Sequence, residues 1–184
     1  MRANHMGTAM SSDILSLGRG LATVAILLFA AVQPAGAAGN VERGAYLARI
    51  MDCGGCHTPG ALAGEPKDKE ALGGAEMGFA IPDLGIFFPP NLTPDKATGL
   101  GNWSEADMIR AIREGVDPDG RVLAPVMAFR SYAGLTDADA ADLVAFLKSL
   151  PPISRSVPGP FGSSEQSTAP YFALTMPLER RMLR

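Results

Sequence analysis

Cys53-Gly54-Gly55-Cys56-His57 is the stretch on which the reading of this chain turns. C-x-x-C-H is the pattern of covalent c-type haem attachment. Two thiols three positions apart can each bond one vinyl-derived carbon on the haem edge. The histidine that follows directly is placed to ligate the iron. Other readings of Cys-x-x-Cys fit less well. These are the only two cysteines in the chain, so a Cys₄ or Cys₃His zinc site is impossible. The only other histidine, His5, lies near the extreme N-terminus and does not supply a Cys₂His₂ site. No βαβ pattern supports a thioredoxin-like thiol oxidoreductase, which would be colourless. A plain disulfide suits an exported chain but leaves His57 unexplained.

Working outward, the N-terminus reads as a secretory signal over residues 1–37. Arg2 and Arg19 precede an apolar run, Leu21 to Val32, and small residues follow at Ala35-Gly36-Ala37-Ala38. The run falls short of the roughly 20 apolar residues of a membrane span; an uncleaved anchor is the minor alternative. Covalent haem attachment takes place outside the bacterial cytoplasm, so a periplasmic location agrees with the motif. Removing Arg2, Arg19 and Asp13 with the signal leaves a formal charge of −4, against −3 for the whole chain. A mildly acidic protein without a basic stripe makes a poor nucleic-acid partner.

Residues 38–152 read as one domain with three helices. The first spans about Val41 to Asp52, with Asn40 as N-cap, Glu42 in the first turn, and Tyr46, Leu47 and Ile50 as its apolar face. The second opens on a capping-box pattern, Ser104 to Asp107, carries Met108, Ile109 and Ile112, and ends at Gly115. The third opens at Thr136, carries Leu143, Val144, Leu147 and Leu150, and stops at Pro151-Pro152. Gly44 and Ala45 predict a close crossing of the first helix with the third, near Phe146 and Leu147.

Residues 58–102 hold eight Gly and six Pro and show little periodicity. Unstructured loops beyond about 12–15 residues are uncommon in compact domains. A flat cofactor can stand in for the missing elements, with Phe79, Ile81, Phe87 and Phe88 buried against it. No sheet is expected. Residues 153–184 form an irregular tail. It reads either as a frayed terminus or, because Phe161, Tyr171, Phe172 and Leu174 are too apolar for a solvated linker, as a docking strap.

The sixth iron ligand follows by elimination. Without the signal His57 is the only histidine, so a bis-His haem is excluded within one chain, and Met/His ligation is the common solution. Six Met remain: Met51, Met77, Met108, Met127, Met176 and Met182. Met127, stiffened by Pro125, is the best placed; Met77 in the wrapping loop stays open. His57 also needs a carbonyl for its second ring nitrogen, for which Pro59 and Pro90 both qualify. Haem propionates need donors, and Trp103, Asn91 and Thr93 are the candidates. Tyr132 either closes the Met side or packs.

Together with the haem motif, Asn91-Leu92-Thr93-Pro94-Asp95, Thr98 to Ser104, Pro125-Val126-Met127 and Leu135-Thr136-Asp137 resemble class I cytochrome c domains. The nearest likeness is to cytochrome c subunits of periplasmic alcohol, gluconate and related dehydrogenases, over about residues 41–152. The resemblance implies an all-α cytochrome c fold around one covalent haem c, with His57 and Met127 as axial ligands. It implies an electron-transfer protein rather than an enzyme. A periplasmic dehydrogenase would be the electron donor and a downstream cytochrome or terminal oxidase the acceptor, with membrane association through a partner or an uncleaved signal. Two departures stand out. Such subunits often hold three haem domains, whereas this chain has one motif, and Ala128 follows Met127 where the family usually has proline. A freely diffusing shuttle is the alternative carrier. A haem enzyme or sensor with a labile sixth ligand is a third reading, weakened by the lack of a distal histidine for proton transfer.

Overall fold

A computed structural model describes residues 39–173 and Thr175. The expected signal segment, Leu174, Met176 and Met182 lie outside the described residues. Two helices form the frame. Helix α1 spans Val41–Ile50, and Asn40 caps it by accepting a hydrogen bond from the Arg43 amide at 3.0 Å. Helix α5 spans Asp137–Ser149, capped by Thr136 through the Asp139 amide at 3.0 Å.

They cross at Gly44. A Cβ there would stand 2.7 Å from Phe146 Cβ, too close for any side chain, so the glycine is what lets α1 approach. The crossing expected near Phe146 and Leu147 is therefore present. Polar ties flank it: the Asn40 amide donates to Asp142 at 2.6 Å, and Arg43 pairs with Asp139 at 3.0 Å. The apolar face of α1 differs from the expected one. Gly44, Leu47 and Ala48 are buried, while Tyr46 is 52% and Ile50 59% exposed. Two small residues beside one leucine fit a tight crossing better than the bulkier pair, which the helix turns outward.

Leu47 joins Leu143, Val144 and Leu147 of α5, Met108 and Ile112, and Leu72 in one core. Met108 and Ile112 come from α3, Glu105–Glu114, whose expected capping box is present: Ser104 Oγ accepts from the Asp107 amide at 3.1 Å, and Asp107 accepts from the Ser104 amide. Gly115 closes α3 at φ +70°. Two shorter helices complete the set, α2 over Cys53–His57 and α4 over Phe129–Tyr132.

The fold is predominantly helical but not all-α. Strands β1 (Gly78–Ile81) and β2 (Gly85–Phe87) form an antiparallel hairpin, and β3 (Tyr171–Ala173) adds to β1 in parallel, giving the order β2-β1-β3. The hairpin turns at Pro82-Asp83-Leu84, where the Leu84 amide reaches the Ile81 carbonyl at 3.1 Å and Asp83 takes φ +65°. Proline followed by a positive-φ residue is the order of a type II turn. Two of the loop phenylalanines have aromatic partners in the tail. Phe79 stacks on Phe172 at 5.9 Å, and Phe88 meets Phe161 edge-on at 6.1 Å. The tail from Pro152 to Ala173 is thus tied to the wrapping loop rather than frayed. Among the described residues no helix is long and apolar enough to cross a membrane.

Candidate haem site

Helix α1 ends at Met51, and Asp52 turns the chain with φ +55° into α2, which carries the whole Cys53–His57 motif. One helical turn sets Cys53 and Cys56 on the same side, since residues three apart are neighbours on a helix surface. Both thiols are free and part-buried. Burial pushes the Cys53 thiol up to about 11, with further upward pressure from Asp52 and Cys56. Cys56 is raised too, by burial and then by Asp52. Neither thiol is lowered toward the thiolate range of a disulfide exchanger.

His57 is buried, 7% exposed, and burial holds its pKa below the ordinary imidazole range. Its Nδ1 lies 2.8 Å from the Pro90 carbonyl oxygen. A carbonyl only accepts, so Nδ1 carries the proton and Nε2 keeps a lone pair. Of the two carbonyls that qualified by sequence, Pro90 is the partner. The His57 carbonyl in turn accepts from the Gly74 amide at 2.8 Å. Gly74 has φ +92°, and a Cβ on it would lie 2.6 Å from Val157 Cγ1, so loop and tail meet directly behind the histidine.

Asn91 and Thr93 do not end as free donors. Asn91 Nδ2 donates to the Ile153 carbonyl at 2.6 Å and to Thr98 Oγ1 at 3.0 Å. Its Oδ1 accepts from the Thr93 amide and hydroxyl at 2.9 and 2.7 Å. Thr93 Oγ1 also accepts from the Ile153 amide at 3.0 Å. Both side chains, 1% exposed, are committed to binding the tail. Trp103 is half-buried against the edge of the core.

Met127 lies on a separate strap. Its amide closes a turn to the Ala124 carbonyl at 2.9 Å, with Pro125 at the second position, and its carbonyl accepts from the Phe129 amide at 2.9 Å. Met127 is half-buried, Pro125 exposed and Val126 46% exposed. The base of the strap rests on Asp117, which sequence reading did not single out. This buried carboxylate accepts from the amides of Asp119 and Arg121 at 3.1 and 2.8 Å and pairs with the Arg121 guanidinium at 2.8 Å. The Asp117-Pro118-Asp119-Gly120 turn pattern was the available signal. Tyr132, just past the strap, donates to the Met51 carbonyl at 2.9 Å and so joins the strap to the end of α1. Of the other methionines, Met108 is core, Met51 borders the core, and Met77 lines a small cavity with Leu62 and Glu76.

The donor set suits a c-type haem. Two free thiols share one helical face, and the imidazole beside them has its proton fixed on the nitrogen that faces the backbone. No cluster of three His, Cys, Asp or Glu able to hold a metal ion by itself occurs among the described residues. Comparison with known proteins agrees. The cytochrome c family model matches residues 41–151, more than half of the chain. One of the subunits of nicotinate dehydrogenase from Pseudomonas putida is 38% identical over 121 residues, covering 66% of this chain and 9% of that protein. A diheme cytochrome c-type protein of Cereibacter sphaeroides is 36% identical over 122 residues, 66% of this chain and 40% of the other. The gluconate 2-dehydrogenase cytochrome c subunit of Pantoea cypripedii is 38% identical over 117 residues, 63% and 24% of the two chains. The chain thus spans well under half the length of these relatives.

Proposed function

The chain belongs to the cytochrome c family, and on that premise we propose that it is a periplasmic carrier of single electrons with one haem c. Domains of this family carry electrons rather than catalyse. In this reading Cys53 and Cys56 would hold the haem covalently, and His57 Nε2 and Met127 would ligate its iron. When bound, the haem supplies an iron that cycles between ferrous and ferric states.

The chain's own residues do the rest. The Pro90 carbonyl keeps the proton on His57 Nδ1, which orients the ring and raises its basicity. Pro125 and the Asp117 turn stiffen the strap that presents the Met127 thioether. Trp103 Nε1–H remains the candidate donor to a propionate. Were His57 and Met127 both to ligate the iron, they would leave no open site for a substrate, and the group they hold would supply one-electron transfer with little rearrangement. The single observation that carries this reading is the buried His57, tied to Pro90 at 2.8 Å immediately after two free thiols.

The donor in this proposal is a periplasmic dehydrogenase, in line with the relatives named for nicotinate and gluconate dehydrogenases. The acceptor is a downstream cytochrome or a terminal oxidase, and any membrane association runs through the partner. The test is expression with haem-attachment machinery, followed by denaturation and potentiometric titration. Haem that stays on the denatured chain and a one-electron Nernst curve are expected. Haem released on denaturation, or a ferrous form that binds carbon monoxide readily, would contradict the proposal.

A further inference from the structure

The carbonyl that holds His57 belongs to the peptide joining Pro90 to Asn91. Pro90 has no N–H of its own to anchor it. The direction of that carbonyl is therefore set by where its neighbours are held. On one side the Pro89 carbonyl accepts from the Ala75 amide at 3.0 Å. On the other, the Asn91 side chain makes four hydrogen bonds, the full capacity of a carboxamide. One of them goes to the Ile153 carbonyl, 62 residues away, just past the end of α5. Ile153 returns its amide to Thr93, and the Arg155 amide reaches Thr98 at 3.1 Å. The Arg155 side chain meets Glu70 on the same loop, Nε to Oε2 at 3.0 Å.

We infer that Asn91 is a positioning residue for the haem ligand: it locks the Pro90–Asn91 peptide, and through it His57, to the Ile153–Arg155 stretch of the tail. The inference rests on His57 as iron ligand and gives the tail a role in tuning that ligand. A fully bonded buried amide has one low-energy orientation, and losing any partner leaves a buried polar group unpaired. Without the tail's carbonyl, Asn91 loses its long-range tie and the Pro90 carbonyl loses its fixed aim. A weaker Nδ1 hydrogen bond makes His57 a poorer electron donor to iron, which favours the ferrous state and raises the potential.

The experiment uses the full-length haem-loaded protein and three variants, Asn91→Ala, Thr93→Val and Thr93→Ser. The readouts are midpoint potential, solvent exchange of the His57 Nδ1 proton in the reduced form by NMR, and limited proteolysis of the tail. Asn91→Ala should raise the potential, speed Nδ1 exchange by tenfold or more and expose the tail to cleavage. Thr93→Val, which keeps the side-chain volume and removes one of the four bonds of the Asn91 amide, should do the same to a lesser degree. Thr93→Ser, with its hydroxyl restored, should match the wild type. Variants that lose only thermal stability, with potential and Nδ1 exchange unchanged, would overturn the inference and leave Asn91 a structural residue. A wild-type protein lacking His-ligated haem would instead remove the reading on which it rests.

Discussion

The two proposed axial residues sit in differently built surroundings. The wall around His57 is assembled from distant parts of the chain: its carbonyl meets Gly74, its ring meets Pro90, and Asn91 beside Pro90 meets Ile153. The Met127 strap is built locally. Its backbone bonds run from Leu123 to Gly115, Met127 to Ala124 and Phe129 to Met127, with only Tyr132 reaching back to Met51. A ligand held by the whole fold cannot shift without unfolding something. A ligand held by one turn can be lost while the domain stays folded. In the proposed carrier the fifth ligand is thus a property of the domain and the sixth a property of a loop.

The largest effect that sharpens this contrast is expected from His57→Ala. It removes the proposed iron-ligating histidine and the anchor of the wall, so yield of haem-loaded protein should fall by at least about tenfold, the lower end of the loss seen when even a metal ligand's hydrogen-bond partner is removed. Haem content per chain measures it. An undiminished yield would make the two sides equivalent and break the comparison.

Gly44→Val tests the frame that carries the motif. The new side chain meets Asp142 and Phe146, and overpacking of this kind costs about 1–3 kcal/mol. Thermal unfolding should move down accordingly. Asp117→Ala strikes the strap alone. It unpairs two amides and the Arg121 guanidinium, a loss of about 1–3 kcal/mol if fully felt. The methionine–iron spectral band should weaken with the His57 Nδ1 proton unchanged. Equal disturbance of both would show that the strap is not independent.

The smallest effect is on acid stability. The Thr98 hydroxyl and amide hold Asp95 below the usual carboxylate range, the Arg155 guanidinium holds Glu70 below it, and Arg43 with Thr136 holds Asp139 below it. A carboxylate whose pKa is lowered by folding stabilises the fold above its unfolded value, about pH 4. That contribution disappears as pH falls through the lower folded value. All three groups are half-buried and keep contact with solvent, so the loss is gradual. Denaturant midpoints should hold from pH 7 to about 5 and decline below about 4, with the tail, which Arg155 and Thr98 retain, cleaved first by an acid-active protease. A tail equally resistant at pH 3 would contradict this order.

Much of the helical frame was legible because its signals are local. Asn40, Ser104 and Thr136 each cap the helix expected of them, and the Gly44 crossing follows from one small residue. The family was legible from the motif on α2 and the segments that follow it. What escaped was non-local. The hairpin strands are three and four residues long, too short for alternation to show, and β3 pairs with β1 from about 90 positions away. Tyr46 and Ile50 misled because periodicity reports an apolar face but not how closely another helix will approach. The tail contacts of Asn91 and Thr93 escaped because their partner, Ile153, carries no sequence signal: it contributes backbone groups.

The central claim is that one haem is held between His57 and Met127. The direct test is the absorption spectrum of haem-loaded protein, oxidised and reduced, for the wild type and Met127→Leu. The account predicts sharp reduced bands and a ferric methionine–iron charge-transfer band in the wild type, with that band lost and the haem retained in the variant. A band that survives Met127→Leu would move the ligand to another methionine such as Met77, and a high-spin wild type would contradict the carrier outright.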